Sequence, residues 1–471
     1  MNPNPTQIEN SRALGNLNIV RLAPGDQQIA LEYAGGMPES GEVIACVTDR
    51  EGHVIIRQTG PPASGCLTLL GLPNGQDLLV ELIQVDEVGK TTARSPMRLF
   101  RAGYVPGTVV NYIHPEDHTF MPSGRSPASP SLLQLPNGDL LASHDIYWGG
   151  CAQNLTHVFV SKDDGKSWSY LSRIYPSFWT KLFYHRNALY AFGTNGEYGD
   201  LNIFCSTDNG LTWSLPTLVC RGGNRDIGGP HKAPMPVVAF KGRLWTAFEC
   251  GSWGLPTFHD AGVASIAVAD DPMVSENWTL SGFLRYSNGW DGVCEGEARG
   301  YLEGNVVVTR DDRLVNILRY QIEHCTPNYG RAIMLDIDHT QPEKAPAYRK
   351  LIRFHGNFSK FTIHFDPVSD SYYALVNRVT QKKALKQRNC LTLTRSRTLD
   401  DWEIVRDVLN FQDNEWPEDL DKVGFQYVDW FIEGEDILFL SRTAINHAHN
   451  YHNANHLTFH RIRSFRDFLA I

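Results

Sequence analysis

Two charged side chains of opposite sign, Glu303 and Arg319, stand sixteen residues apart in EGNVVVTRDDRLVNILR, flanking two apolar runs joined at Asp312. Folded as a hairpin, that spacing returns both to the same end. A carboxylate beside a guanidinium suits a base or an electrostatic stabiliser rather than a proton donor. The donor must then come from elsewhere, and Glu249, Asp145 and His144 are the candidates, each at the end of an apolar run. Carboxylates held in different protonation states are what glycosidic acid–base chemistry needs. Paired arginines, here Arg319 and Arg378, match a carboxylate-bearing sugar through their planar forks. Tyr427 and Asp429 share one apolar run, while Lys360 and the pair His231–Lys232 each open another. A His/Tyr set next to paired arginines is also suited to β-elimination from a uronic acid.

These residues are spread over more than half the chain, so a repeating scaffold must gather them. A degenerate unit of strand, tight turn and strand recurs six times: SPSLLQLPNGDLLASHD, KLFYHRNALYAFGTN, MPVVAFKGRLWTAFECG, EGNVVVTRDDRLVNILRY, KFTIHFDPVSDSYYALVNR and QYVDWFIEGEDILFLSRTA. The turns sit at Gly138, Asn187, Gly242, Asp312, Ser371 and Gly434, and their spacing leaves room for two more strands per unit. That is the size of a β-propeller blade. Inner strands of a propeller converge on one mouth, so positions in register share a pocket. Seven residues past each turn stand Asp145, Thr194, Glu249, Arg319, Arg378 and Ser441; nine residues before stand Ser129, Phe178, Ala233, Glu303, Thr362 and Phe425.

A third strand follows most hairpins, and two of these run into S-x-D-x-G-x-x-W, at Ser161–Trp168 and Ser206–Trp213, with degenerate relatives ending at Trp278 and Trp402. Asp and Ser in such a turn satisfy backbone amides, Gly permits positive φ, and Trp packs the turn down. The motif resembles the Asp box of the sialidase superfamily. The Glu303–Arg319 hairpin is similar to that family's fourth blade, over a resemblance spanning roughly residues 105–471. It implies that Glu303 activates a nucleophilic tyrosine and that Arg319 binds the substrate carboxylate. The family's leading Arg-Ile-Pro is replaced here by Ala128-Ser-Pro130. Its tyrosine falls at Phe425, with Tyr427 one pleat further on, and its acid aspartate has no counterpart.

Ahead of the repeat, six alternating runs between Asn16 and Leu99 predict an immunoglobulin- or fibronectin-like β-sandwich in residues 1–104, the propeller occupying 105–471. The net charge of −9 and the lack of any Lys/Arg-rich run argue against nucleic acid. No apolar stretch is long enough to span a membrane. The polar N-terminus and nine scattered cysteines without CxxC spacing predict a cytoplasmic protein with reduced thiols. His447, His449 and His452 form a His-rich segment but lack a carboxylate at ligand spacing, so no metal and no cofactor is expected. The expectation is a glycan-cleaving enzyme: an exo-acting, sialidase-like glycoside hydrolase of an acidic sugar. The alternatives are a lyase cutting beside a uronate and a non-catalytic glycan-binding propeller.

Overall fold

The structure is a computed structural model that describes residues 17–36, 41–62, 64–255, 259–293, 300–321, 329–381, 386–414, 416 and 420–469. The N-terminal runs form two antiparallel sheets. Asn18–Gly25, Gln28–Ala34 and Gly65–Leu70 make a three-stranded sheet; Val54–Gly60, Glu42–Thr48, Leu78–Val85, Thr91–Arg94 and Arg98–Phe100 make a five-stranded one. Alternation puts Leu22, Ile29, Leu31, Val43, Val47 and Val80 into one core. All six alternating runs are strands, and two short ones are added. Arg21 ties this unit to the strand Thr108–Tyr112, donating to the carbonyls of Val109 (2.8 Å) and Val110 (2.6 Å).

Among the described residues, six further antiparallel sheets succeed these in chain order. The first comprises Ser126–Gln134, Leu140–Tyr147, Thr156–Ser161 and Ser169–Ile174; the second Phe178–His185, Ala188–Thr194, Leu201–Ser206 and Thr217–Cys220. In the third, Gly229–His231 and Val238–Phe240 both pair with Arg243–Gly251, followed by His259–Ala267 and Trp278–Leu280. The fourth holds Tyr301–Val308, Leu314–Tyr320, Arg331–Ile337 and Ala347–Arg353; the fifth Thr362–Asp366, Ser371–Asn377, Cys390–Ser396 and Glu403–Asn410. The sixth takes Gly424–Glu433, Asp436–Ala444 and His456–Ile462, and its outer strand is Thr108–Tyr112, from the start of the repeat region. The expected hairpins are thus the first two strands of five of these sheets, and Val238–Phe240 with Arg243–Gly251 in the third. The borrowed strand joins the two ends of the array, as in a β-propeller.

The sheets pack face to face in a ring. Leu141 and Leu182 share a core between the first and second sheets, Phe192 and Phe248 between the second and third, and Trp245 and Val306 between the third and fourth. Ile317 and Tyr372 join the fourth to the fifth, Leu375 and Phe439 the fifth to the sixth, and Leu440 and Leu132 the sixth back to the first. Burial on both faces explains why the first two strands of each unit read as continuous apolar runs rather than alternating ones.

The S-x-D-x-G-x-x-W turns carry the chemistry expected of them. Asp163 Oδ1 accepts from Ser161 Oγ and the Ser167 amide, Ser161 Oγ accepts from the Gly165 amide, and Gly165 has φ +83°. Each tryptophan reaches back to the preceding sheet of the ring. Trp168 packs on Phe459, Trp213 donates to Ser172 Oγ, Trp278 stacks on Phe192, and Trp402 meets Phe354 edge-on. Among the described residues, no helix is long and apolar enough to cross a membrane. The seven cysteines among them are free thiols; Cys294 and Cys325 lie outside the described residues.

Candidate active site

At one end of the ring a cavity of about 320 Å³ draws lining residues from all six sheets and their loops. It is reached because four innermost strands carry a bulge at the same height. Register shifts fall between Ala128 and Ser131, Phe178 and Lys181, Leu302 and Asn305, and Gln426 and Asp429. Each bulge holds one non-glycine residue at positive φ: Ser129 (+49°), Trp179 (+51°), Glu303 (+59°) and Tyr427 (+54°). That conformation is costly for a side chain such as Trp, and bulges of this kind re-aim a residue out of the strand's alternation. All four line the cavity.

Arg319 joins two of them. Its Nη1 donates to Glu303 Oε2 at 2.9 Å and reaches the Tyr427 hydroxyl at 3.5 Å, and its Nε donates to Gln321 Oε1 at 2.8 Å. Burial works against the guanidinium's charge, but the Glu303 carboxylate and the Tyr427 hydroxyl together outweigh it and raise the Arg319 pKa. Two further arginines flank the same tyrosine. The guanidinium of Arg388 lies 5.0 Å from the Tyr427 ring centre and that of Arg442 lies 5.2 Å from it. Arg388 is fixed by donating to Phe358 O (2.6 Å) and Gln426 Oε1, and Arg442 by donating to His452 O. Burial pushes Arg442 down to about 10, which leaves it cationic at neutral pH. The neighbouring His452 is held well below its usual pKa by burial and then by Arg442, so its imidazole is neutral.

The opposite wall comes from the second and third sheets: Trp179, Glu197, Arg225, His231 and Trp253. His231 Nδ1 meets Glu249 Oε2 at 2.8 Å, and its ring lies edge-on to Trp179 with centres 4.2 Å apart. Burial raises the pKa of Glu197, opposed by Arg225 at 3.5 Å. The described lining holds five cationic side chains, Arg225, Arg319, Lys386, Arg388 and Arg442, against the two carboxylates Glu197 and Glu303. In a chain of net charge −9, this is a local inversion of sign.

Of the residues expected at the mouth, Glu303, Arg319, Tyr427 and His231 line the cavity; Glu249, Asp145, His144, Arg378, Lys360 and Asp429 are not among its lining. Glu249 is buried behind His231, and its other oxygen accepts the Gly304 amide at 3.0 Å. Asp145 has the equivalent role between the first and second sheets: it accepts the Trp179 amide (2.6 Å) and the Thr156 hydroxyl (2.6 Å). Burial pushes Asp145 up to about 7 against these hydrogen bonds. Both carboxylates do sit in register, but they face the next sheet's bulge rather than the cavity. His144 turns away to Asn111 Nδ2 (2.9 Å), its pKa pushed down to about 4 by burial. Lys360 donates to Val428 O (2.7 Å), and Asp429 pairs with Lys181 and accepts the Leu132 amide, both deeper along the axis. Arg378 lies beyond the end of its strand and pairs with Asp407 on the sheet's outer strand at 2.6 Å. Of the His-rich segment only His452 lines the cavity; His449 lies edge-on to Trp148 and His447 lies in a groove with Asn74 and Tyr104.

Trp179, Glu197, Arg388 and Arg442 also line the cavity, at positions outside the register of seven residues after or nine before each turn. Arg442 is the register equivalent of Arg319: each pairs with the residue before a bulge, Gln426 and Leu302 respectively. Gly434 opens its turn whereas Asp312 closes its own, so Arg442 stands eight residues past its anchor and a fixed offset of seven lands on Ser441. Trp179 directly follows the counted Phe178. Glu197 and Arg388 stand on loops, where no periodicity marks them.

No family model and no curated protein matches the chain. Among solved structures it is similar to an α-L-arabinanase of Penicillium chrysogenum complexed with arabinobiose, at 14% identity and TM-score 0.51. It is also similar to an α-L-arabinofuranosidase of Fusarium graminearum in complex with an iminosugar inhibitor, at 13% identity and TM-score 0.53. Each match covers 76% of this chain and 98% of the other. At such identities the likeness is one of fold, and what the chain shares with these proteins is a β-propeller.

Proposed function

We propose that the protein is an exo-acting glycoside hydrolase of a carboxylate-bearing sugar, with residues 105–471 forming a six-bladed, sialidase-like catalytic propeller behind a fibronectin-like sandwich of residues 1–104. One observation carries the reading: Arg319, Arg388 and Arg442, from three successive sheets, surround Tyr427 while Glu303 bonds to Arg319. Planar forks converging from three directions suit a carboxylate. Glu303 takes the phenolic proton of Tyr427, whose oxygen then attacks the anomeric carbon. The buried layer formed by Lys181, Lys360 and Asp429 lies below the cavity, which favours a chain end over a passing chain. The names of the two similar structures, both arabinan-related glycosidases, agree with glycan hydrolysis.

The test is a screen of acidic and neutral oligosaccharides, arabinobiose included, with product masses. Products heavier by one water, from acidic substrates only, are expected. A second reading, elimination beside a uronate, is favoured by His231, whose Nδ1 is engaged by Glu249 and whose ring reaches the cavity. It predicts ultraviolet-absorbing unsaturated products with no water added. Binding without turnover would leave a glycan-recognition propeller.

A further inference from the structure

Hydrolysis through Glu303 and Tyr427 leaves the departing sugar's oxygen without a proton source. The residues expected for that task, Glu249, Asp145 and His144, are committed elsewhere: two hold the bulges of neighbouring sheets and the third bonds to Asn111. Among the described lining residues the carboxylates are Glu303 and Glu197, and Glu303 is bound to Arg319. Glu197 lies just past Ala188–Thr194, in the second of six sheets arranged in a ring. The sheet across the axis is therefore the fifth, which supplies Arg388. A substrate carboxylate held by Arg388, Arg319 and Arg442 would point its glycosidic bond toward the wall that carries Glu197.

That wall is built for the leaving group. Trp179 and Trp253 line it beside Glu197, and aromatic faces pack well on sugar rings. Glu197 keeps 17% of its side-chain surface exposed, and its Arg225 partner stands at 3.5 Å, longer than a charge-assisted hydrogen bond. Burial favours the protonated carboxyl, the form a donor must have at rest.

Resting on the hydrolase reading, we infer that Glu197 is the general acid and that the Trp179–Trp253 wall receives the departing sugar. In the first step the Tyr427 oxygen bonds to the anomeric carbon, and the electron pair of the broken C–O bond passes to the glycosidic oxygen. That oxygen takes the Glu197 proton, while the Tyr427 proton goes to Glu303. In the second step Glu197, now a carboxylate, takes a proton from the attacking water. The water oxygen displaces Tyr427, which recovers its proton from Glu303. Atoms and charges balance, and no co-reactant beyond water is needed.

The experiment compares wild type with Glu197→Gln on an acidic oligosaccharide and on the 4-nitrophenyl glycoside of the same sugar acid, a leaving group that needs no proton. Turnover of the oligosaccharide is expected to fall by about 10² to 10⁴-fold, the range for acid–base groups. On the nitrophenyl glycoside the first step should stay near wild type. Added azide should restore the second step by giving the glycosyl azide, and the alkaline limb of the pH profile should disappear. If Glu197→Gln cleaves the oligosaccharide at the wild-type rate with that limb intact, the assignment is wrong while the hydrolase reading stands. Unsaturated products from the wild type would overturn both.

Discussion

Glu249 Oε1 accepts the Gly304 amide at 3.0 Å, so a carboxylate of the third sheet clasps the backbone directly after the Glu303 bulge in the fourth. Its other oxygen engages His231 at 2.8 Å, and the two contacts join both walls of the cavity through one buried residue. Glu249→Ala would orphan the buried amide and the imidazole nitrogen, at about 1–3 kcal/mol for each unsatisfied group. Urea unfolding should register that loss, and turnover should fall with it as Glu303 loses its support. Glu249→Gln keeps an acceptor for Gly304 and should recover most of the stability. Wild-type stability and turnover in the alanine variant would remove Glu249 from this role.

Glu303→Gln preserves shape and removes the base. Turnover should drop by about 10²-fold or more in a protein that still folds, with a lowered unfolding midpoint because the buried Arg319 loses its charged partner. Tyr427→Phe should lose at least as much, since no other group supplies its oxygen. Near-normal turnover in Glu303→Gln would make the carboxylate a structural partner of Arg319 and favour elimination.

Arg442→Lys tests the carboxylate clamp. A charge-assisted hydrogen bond contributes about 1.5–3 kcal/mol, so KM for an acidic substrate should rise by roughly ten- to a hundredfold. The methyl ester of that substrate should bind wild type and variant about equally. An equal rise in KM for acid and ester would mean that Arg442 acts on the fold and not on the carboxylate.

Asp145 gives a pH dependence of stability with a definite sign. Its folded pKa is raised from the usual aspartate range to about 7, because burial penalises the charged form. Between about pH 4 and 7 the folded state therefore binds more protons at this site than the unfolded chain, and the contribution is lost as pH rises through about 7. Unfolding of wild type and Asp145→Asn, compared at about pH 4.5 and 8, should show the variant gaining on wild type at the higher pH. A constant difference would show that Asp145 is ionised throughout.

The sequence by itself determined the units. Apolar runs interrupted by turn residues at Gly138, Asn187, Gly242, Asp312, Ser371 and Gly434 permit little but hairpins, and every one of those turns joins two neighbouring strands of one sheet near its inner edge. The tryptophans at 168, 213, 278 and 402 were also legible, because local turn chemistry sets where they point. So was the Glu303–Arg319 pair, since both residues belong to one hairpin and its length is written in the chain. The tertiary structure decided which in-register residues see the cavity. A bulge inserts one residue and turns a side chain through the pleat, and no local composition marks where it falls. Asp145 and Glu249 were in register yet serve the neighbouring sheet, while Arg442 escapes the count because Gly434 opens its turn whereas Asp312 closes the turn before Arg319. Glu197 and Arg388 stand on loops whose course is set by packing between sheets, and only the closed ring brings them to opposite walls of one pocket.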